Sequence, residues 1–422
     1  MNRDEDRPAG AAAAATVFAL APDPVPGPTT GSPRGRHGRR AGRVLLALAI
    51  LAFWLEAAPR WLFGVYPLTK ESIVWRYDPL LGWAHEPGAT GLFVKLDCRQ
   101  PIVINSRGLR EREIGYEKPP GTFRVLALGN SVAVGFEVPP EAVFTRVLED
   151  ELNRRGVRAQ VINAACRGWG SDQALLFLER EGLKYRPDLV LYCIGGIEPS
   201  TNLELHKPYR VFGKGYLELG PDGALTPRNV PVPSYPMATQ VFVGDDGKVA
   251  ERPCSAKQGW LLWFRDNVVT RSAGCTMALE ALTANPVLGR LIADQGGAAP
   301  APTGPSGLDE VRKSLSFRLT AATYRAMKRD AESIGGRFAL CNPATIDNGP
   351  SALYALYFAE VGQRDWDLGR DTRALMPPGT SYRLKHDAHL NEAGHAAVGR
   401  ALADGLIRRG FIPAPAAALG AR

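Results

Sequence analysis

Phe123–Gly129 reads FRVLALG, apolar at every position but Arg124 and the closing glycine. Successive strand residues point to opposite faces, so a strand this uniformly apolar must be covered on both sides. That is the mark of a parallel strand inside an α/β sheet. Similar runs recur in RAQVINAA (158–165), PDLVLYCIGG (187–196) and RFALCNPAT (337–345). Helical periods separate them. In 139–156, Val143, Val147, Leu148 and Leu152 share one face, Pro140 suits the first turn and Gly156 a C-terminal cap. A second helix follows in 171–185, with Ser171 as its N-cap. The β-α-β-α-β order predicts a doubly wound, mainly parallel sheet with helices on both faces.

Residues 203–307 break the alternation with turn-rich hairpins and the low-complexity GGAAPAPTGPSG, and read as an insertion capping one edge of the site. A long amphipathic helix is expected over about Leu308–Ile334, ending at Gly335-Gly336. The last helix, capped by Asn391, carries Ala397, Val398, Leu402 and Leu406 on one face. The α/β domain thus comprises 123–202 and 308–412, and 413–422 is a disordered tail.

The 422-residue chain begins with a Pro-, Ala- and Gly-rich tail, 1–43, expected to be disordered. Five arginines between Arg34 and Arg43 account for much of the net charge of +8. No basic stripe with interleaved aromatics recurs, which argues against nucleic-acid binding. The apolar run Val44–Leu55 resumes after Glu56 and Arg60, so 44–64 fits a transmembrane anchor with Trp54 and Trp61 as interface aromatics. Arginines before the run place the N-terminus in the cytoplasm and export the rest. A cleaved signal peptide and a buried core helix are the alternatives. The polar segment 65–122 reads as a lead-in packed on the outside of the domain. None of the six cysteines forms CxxC. In an exported domain Cys254 and Cys275 are the natural disulfide pair, while Cys193 and Cys341 fall in core strands as small hydrophobes.

Ligands of such sheets bind at the carboxyl ends of the strands. Ser131 sits at such an end, on the turn into a helix, where a nucleophile can use unpaired backbone N–H groups. A serine N-cap would look the same. Gly168, at the exit of the second strand, lets backbone approach a ligand closely, or simply makes a tight turn. Asp387 lies two residues before His389 at the entrance of the last helix, as a base and its orienting carboxylate would. His386 and His395 compete for the base role. His395 falls inside the helix and should pack, and Glu392 in the first turn serves the helix dipole.

Taken together, RVLALGNSVAVG, VINAACRGWGSDQ, PDLVLYCIGGIEPSTN and HDAHLNEAGH resemble the SGNH, or GDSL-type, hydrolase superfamily over roughly Tyr77–Asn202 and Arg312–Gly410. INSRGLRERE with GTFRVLALGNS resembles its membrane-anchored bacterial branch, often associated with extracellular polysaccharide. The resemblance implies Ser131 as nucleophile, His389 as base, Asp387 as its partner, and the N–H groups of Ser131 and Gly168 as oxyanion donors, with no metal or cofactor. Three positions depart from the pattern. Asn130 replaces the usual Asp before the serine and can hold the same turn. Ile197 stands where an Asn amide usually donates to the oxyanion, with Glu198 beside it; Asn202 substitutes only if its loop folds back. The Asp–His spacing is the shorter form, since His386 occupies the commoner position. The implied protein is a single-pass inner-membrane serine esterase or O-acyltransferase whose extracytoplasmic domain acts on acylated glycans or lipids. The alternative is a catalytically impaired SGNH-fold binding or scaffold protein in envelope assembly.

Overall fold

The computed structural model describes residues 33–63, 74–95, 97–196, 200–207, 210–236, 238–268, 271–284, 305–346, 352–385 and 387–413. The chain divides into two compact units, Met1–Trp54 and Leu55–Arg422. Helix α1 (Pro33–Phe63) starts eleven residues earlier than the expected anchor, because the arginine- and alanine-containing lead continues the same helix behind Pro33. Its segment Arg39–Leu62 is long and apolar enough to cross a membrane.

The larger unit is a mixed α/β structure. Two antiparallel hairpins come first, β1 (Trp75–Asp78) with β2 (Gly82–His85) and β3 (Thr90–Lys95) with β4 (Cys98–Val103). The central sheet has four parallel strands in the order β13-β7-β5-β6: β5 (Phe123–Gly129), β6 (Ala159–Asn163), β7 (Leu189–Cys193) and β13 (Arg337–Cys341). Consecutive residues of β5 and β7 are buried without alternation, so both faces of the sheet are covered. Each Leu or Val buried there contributes about 1.5–3 kcal/mol. Between the strands run the short α2 (Ser131–Val134), α3 (Phe144–Arg154) and α4 (Ser171–Arg180). Gly156 takes a positive φ of 84° just past α3, as its capping role requires. Gly170 rather than Ser171 is the N-cap of α4; the Ser171 hydroxyl instead bonds Thr323 at 2.7 Å.

The insertion holds β8 (Glu204–His206), the hairpin β9 (Tyr216–Leu219) and β10 (Leu225–Arg228), then β11 (Thr239–Val243), β12 (Val249–Pro253), α5 (Ala256–Asn267) and α6 (Ala273–Ala284). Strands β12, β11 and β8 form a separate sheet over a small core of Leu205, Val241 and Val243. Cys254 and Cys275, expected as a disulfide, are free thiols: one follows β12 and the other lies within α6. The expected long helix is two, α7 (Pro305–Lys313) and α8 (Leu315–Ser333). Ser314 breaks it, its hydroxyl accepting from the Phe317 N–H at 3.3 Å as an N-cap. After β13 come α9 (Ala352–Glu360), α10 (Leu368–Arg373) and α11 (Glu392–Arg408). Asn391 caps α11 through Gly394 N–H at 2.9 Å, as its sequence suggests. Helix α3 packs on α11, and α4 on α8.

The lead-in is not an outer layer. Leu81, Ile102 and Ile104 join the main core. Asp78 takes two hydrogen bonds from Arg180 of α4, at 2.9 and 2.8 Å, and Gln173 Nε2 donates to Leu81 O at 2.6 Å. Arg124, the polar residue in β5, is buried and donates to the carbonyls of Tyr116 (2.8 Å), Glu117 (2.9 Å) and Tyr185 (2.6 Å). A charge inside a strand is thus satisfied by lead-in backbone, which pins 116–117 to the amino end of the sheet.

Candidate active site

Strand β5 ends at Gly129, whose φ of 153° and closeness to Cys193 O (2.8 Å from where a Cβ would stand) admit only glycine. The chain then turns sharply into α2. Asn130 caps it, its Oδ1 accepting from Val132 N–H at 3.2 Å, so Asn supplies the acceptor that the turn needs. Ser131 follows at the carboxyl end of the sheet.

Three sequence-predicted residues come together here. Ser131 Oγ lies 2.8 Å from His389 Nε2. His389 Nδ1 bonds Asp387 Oδ1, and the same oxygen accepts the His389 backbone N–H at 2.9 Å. Burial pushes the Asp387 carboxyl up, but hydrogen bonds and charge from His389 and Lys95 outweigh it and hold the group well below the usual carboxylate range. An ionised carboxylate can only accept, so Nδ1 carries the imidazole proton and Nε2 presents a lone pair to the serine hydroxyl. The second Asp387 oxygen takes the Lys95 ammonium, from the end of β3.

Sequence reading missed the fourth member. Glu137, one per cent exposed at its side chain, brings Oε1 to 3.5 Å from His389 Nδ1. The same oxygen accepts from Arg167 Nη1 at 2.6 Å, while Oε2 is buried without a hydrogen bond. The signal was an acidic residue inside the otherwise apolar VAVGFEV. The turn that carries it is held by Arg110 from the lead-in, which donates to Val134 O (2.9 Å) and Val138 O (2.7 Å). Glu137, Asp387 and His389 lie close enough to share a metal ion. Lys95 and Arg167 already neutralise the two carboxylates and His389 Nδ1 points a proton at Asp387, so the group does not fit a cation. The nearby Cys98 is no rival nucleophile: burial, with the charge of Glu137, pushes its thiol up to about 11.

On the other side of Ser131 the neighbouring groups are backbone. Cys166 N–H donates to Gly129 O at 3.1 Å, bringing the 166–168 loop beside the serine turn. Gly168 has a φ of 79°, and a Cβ there would stand 2.3 Å from the Arg210 guanidinium. Trp83 Nε1 donates to Arg167 O at 3.1 Å. In a trans peptide the N–H points opposite to the C=O, so this bond fixes the direction of the Gly168 N–H. Among the described residues, neither the Ser131 nor the Gly168 N–H donates to a protein acceptor. Asn202 is not available as a substitute donor. Its amide nitrogen is committed to Ser171 Oγ (2.8 Å) and Thr320 Oγ1 (2.7 Å), and its oxygen accepts from Asp172 N–H at 3.2 Å. Ile197, Glu198 and His386 lie outside the described residues. His395 packs as expected: it is buried, its Nδ1 accepts from Phe144 N–H at 3.2 Å, and burial, aided by Arg110, lowers it to about 3.

No family model matches this chain, and no curated protein matches it. Among solved structures it is similar to the psychrotrophic esterase EstA from Pseudoalteromonas sp., at 14% identity over 68% of this chain and 97% of that one, with a TM-score of 0.25. It is likewise similar to the lipase/acylhydrolase from Enterococcus faecalis, at 14% identity over 69% of this chain and 98% of that one, again at 0.25.

Proposed function

We propose that the chain is a serine-dependent esterase or O-acyltransferase of the SGNH type, on a doubly wound sheet, held in the bacterial inner membrane by α1 with its catalytic domain outside the cytoplasm. The observation that carries this reading is the 2.8 Å contact between Ser131 Oγ and His389 Nε2, with Asp387 behind the imidazole. Ser131 attacks the ester carbonyl while His389 takes its proton. The oxyanion forms against the N–H groups of Ser131 and Gly168. The imidazolium, stabilised by Asp387 and Glu137, returns the proton to the leaving alcohol. Water or a sugar hydroxyl then attacks the acyl-enzyme by the reverse sequence, and the serine is restored. Acylated glycans or lipids at the envelope are the substrates this placement favours.

A second reading, a binding or scaffold protein with this fold, is favoured by one observation: the amide of Asn202, the side chain that could stand in for the usual oxyanion donor, is spent elsewhere. A fluorophosphonate probe separates the two. The enzyme labels at Ser131 and turns over a simple acyl ester, and Ser131→Ala abolishes both. A folded wild-type chain that neither labels nor hydrolyses is a scaffold.

A further inference from the structure

Helix α5 presents Trp260, Leu261 and Trp263 to the outside at 58, 41 and 56% exposure, with the Trp260 ring stacked on Phe264 at 5.2 Å. Helix α6 likewise exposes Met277 and Leu282. Soluble surfaces rarely carry large apolar residues in such a group, and a patch of this kind marks a partner.

Contacts at the end of α1 identify the partner. The Glu56 carboxylate accepts from Ser272 Oγ and from the Ala273 N–H, the latter at 2.9 Å, at the start of α6. Gly274 lies so close to Leu55 that a Cβ there would stand 2.5 Å from its carbonyl oxygen. Helix α6 therefore begins against Leu55 and Glu56, the part of α1 that belongs to the larger unit, where Leu55 itself is exposed. Exposed Lys257 and Arg271 add positive charge at the starts of these two helices. Tryptophan is the side chain that settles at the boundary of headgroup and acyl chain, and basic residues suit the anionic headgroups above it.

We propose that α5 and α6 form an interfacial platform that lies in the lipid boundary where α1 leaves the membrane, with Trp260, Leu261 and Trp263 inserted among the acyl chains. This rests on reading α1 as a membrane span. The platform is a second hold on the bilayer, lateral to the anchor and made by the insertion.

The full chain is reconstituted in phosphatidylcholine–phosphatidylglycerol vesicles that contain a lipid brominated near its acyl carbonyls. The emission lost in Trp260→Phe/Trp263→Phe relative to wild type defines the signal of these two residues. The brominated lipid should quench that signal by about half, and aqueous iodide should leave it nearly untouched. Quenching by iodide and not by the lipid would overturn the platform, as would quenching by neither, which would mean that a protein covers α5. Trp54→Phe isolates Trp54 in the same way. If the Trp54 signal escapes the brominated lipid, the span itself fails, whatever α5 does. The single variants Trp260→Phe and Trp263→Phe give the same readout if the double variant does not fold.

Discussion

The two sides of Ser131 are built from different materials. On the base side, four ionisable side chains surround the imidazole: Asp387 and Glu137, each matched by a cation, Lys95 and Arg167. On the proposed oxyanion side stand the peptide N–H groups of Ser131 and Gly168, the second aimed by Trp83 through Arg167 O. The base side holds a second carboxylate, but Glu137 stands 3.5 Å from His389 Nδ1, so Asp387 alone makes the orienting hydrogen bond. The oxyanion side has no such reserve, because a peptide group cannot be replaced without moving the chain.

That contrast breaks most directly at Asp387. Asp387→Asn removes the carboxylate charge and lets an amide N–H face His389 Nδ1, favouring the wrong tautomer, and should lower kcat roughly 10³–10⁴-fold with little change in KM. A loss under tenfold in ester hydrolysis would mean that Glu137 alone can orient His389. The sign of the pH effect follows from the depressed carboxyl. Its stabilising contribution is present above its ordinary value of 3.8 and is lost only as the pH falls through the lower folded value, so the onset of inactivation in mild acid is not its protonation. Next in size is Gly168→Ala. The new methyl meets the Arg210 guanidinium and the backbone must leave its positive φ, so kcat should fall about 10²–10³-fold with the protein still folded. Unchanged kcat would remove Gly168 from the oxyanion site.

Glu137→Gln should cost about tenfold in kcat with little change in KM, because a carboxylate within reach of an imidazolium stabilises it. A kcat equal to that of wild type would reduce Glu137 to a structural partner of Arg167. Smallest for catalysis is Asn202→Ala. It strips hydrogen bonds from a buried cluster and should lower stability by about 2–3 kcal/mol in denaturant titration while kcat per folded molecule holds. A selective loss of kcat would return Asn202 to the oxyanion site.

The legible part of the site was the part with local grammar. Ser131 follows a visibly buried strand, and Asp387 and His389 precede a helix whose cap, Asn391, announces its start. Asn202 misled because only its position in sequence was visible, whereas its amide is claimed by Thr320, 118 residues away. Lys95 reaches Asp387 across 292 residues, and Trp83 reaches Arg167 O across 84. No period or spacing encodes such pairs. The lead-in was misread for the same reason, since its short hairpins carry polar residues whose partners lie in the sheet domain. Charged residues inside apolar stretches, Arg124 and Glu137, were the available clue. Each sits where a charge is tolerated only with a dedicated partner. The split of α7 from α8 turned on one serine, Ser314, whose hydroxyl competes for backbone in a way that helical periodicity does not register.

The separation of 258 residues between Ser131 and His389 has a consequence for the order in which the protein becomes reactive. Ribosomes deliver the serine long before its base. In the proposed mechanism the hydroxyl stays an ordinary alcohol until the last helix is made and docks, closing one of the longest loops in the fold. By that mechanism, a chain truncated before His389 would carry the serine without its base, and the nascent protein would stay silent until the last helix docks.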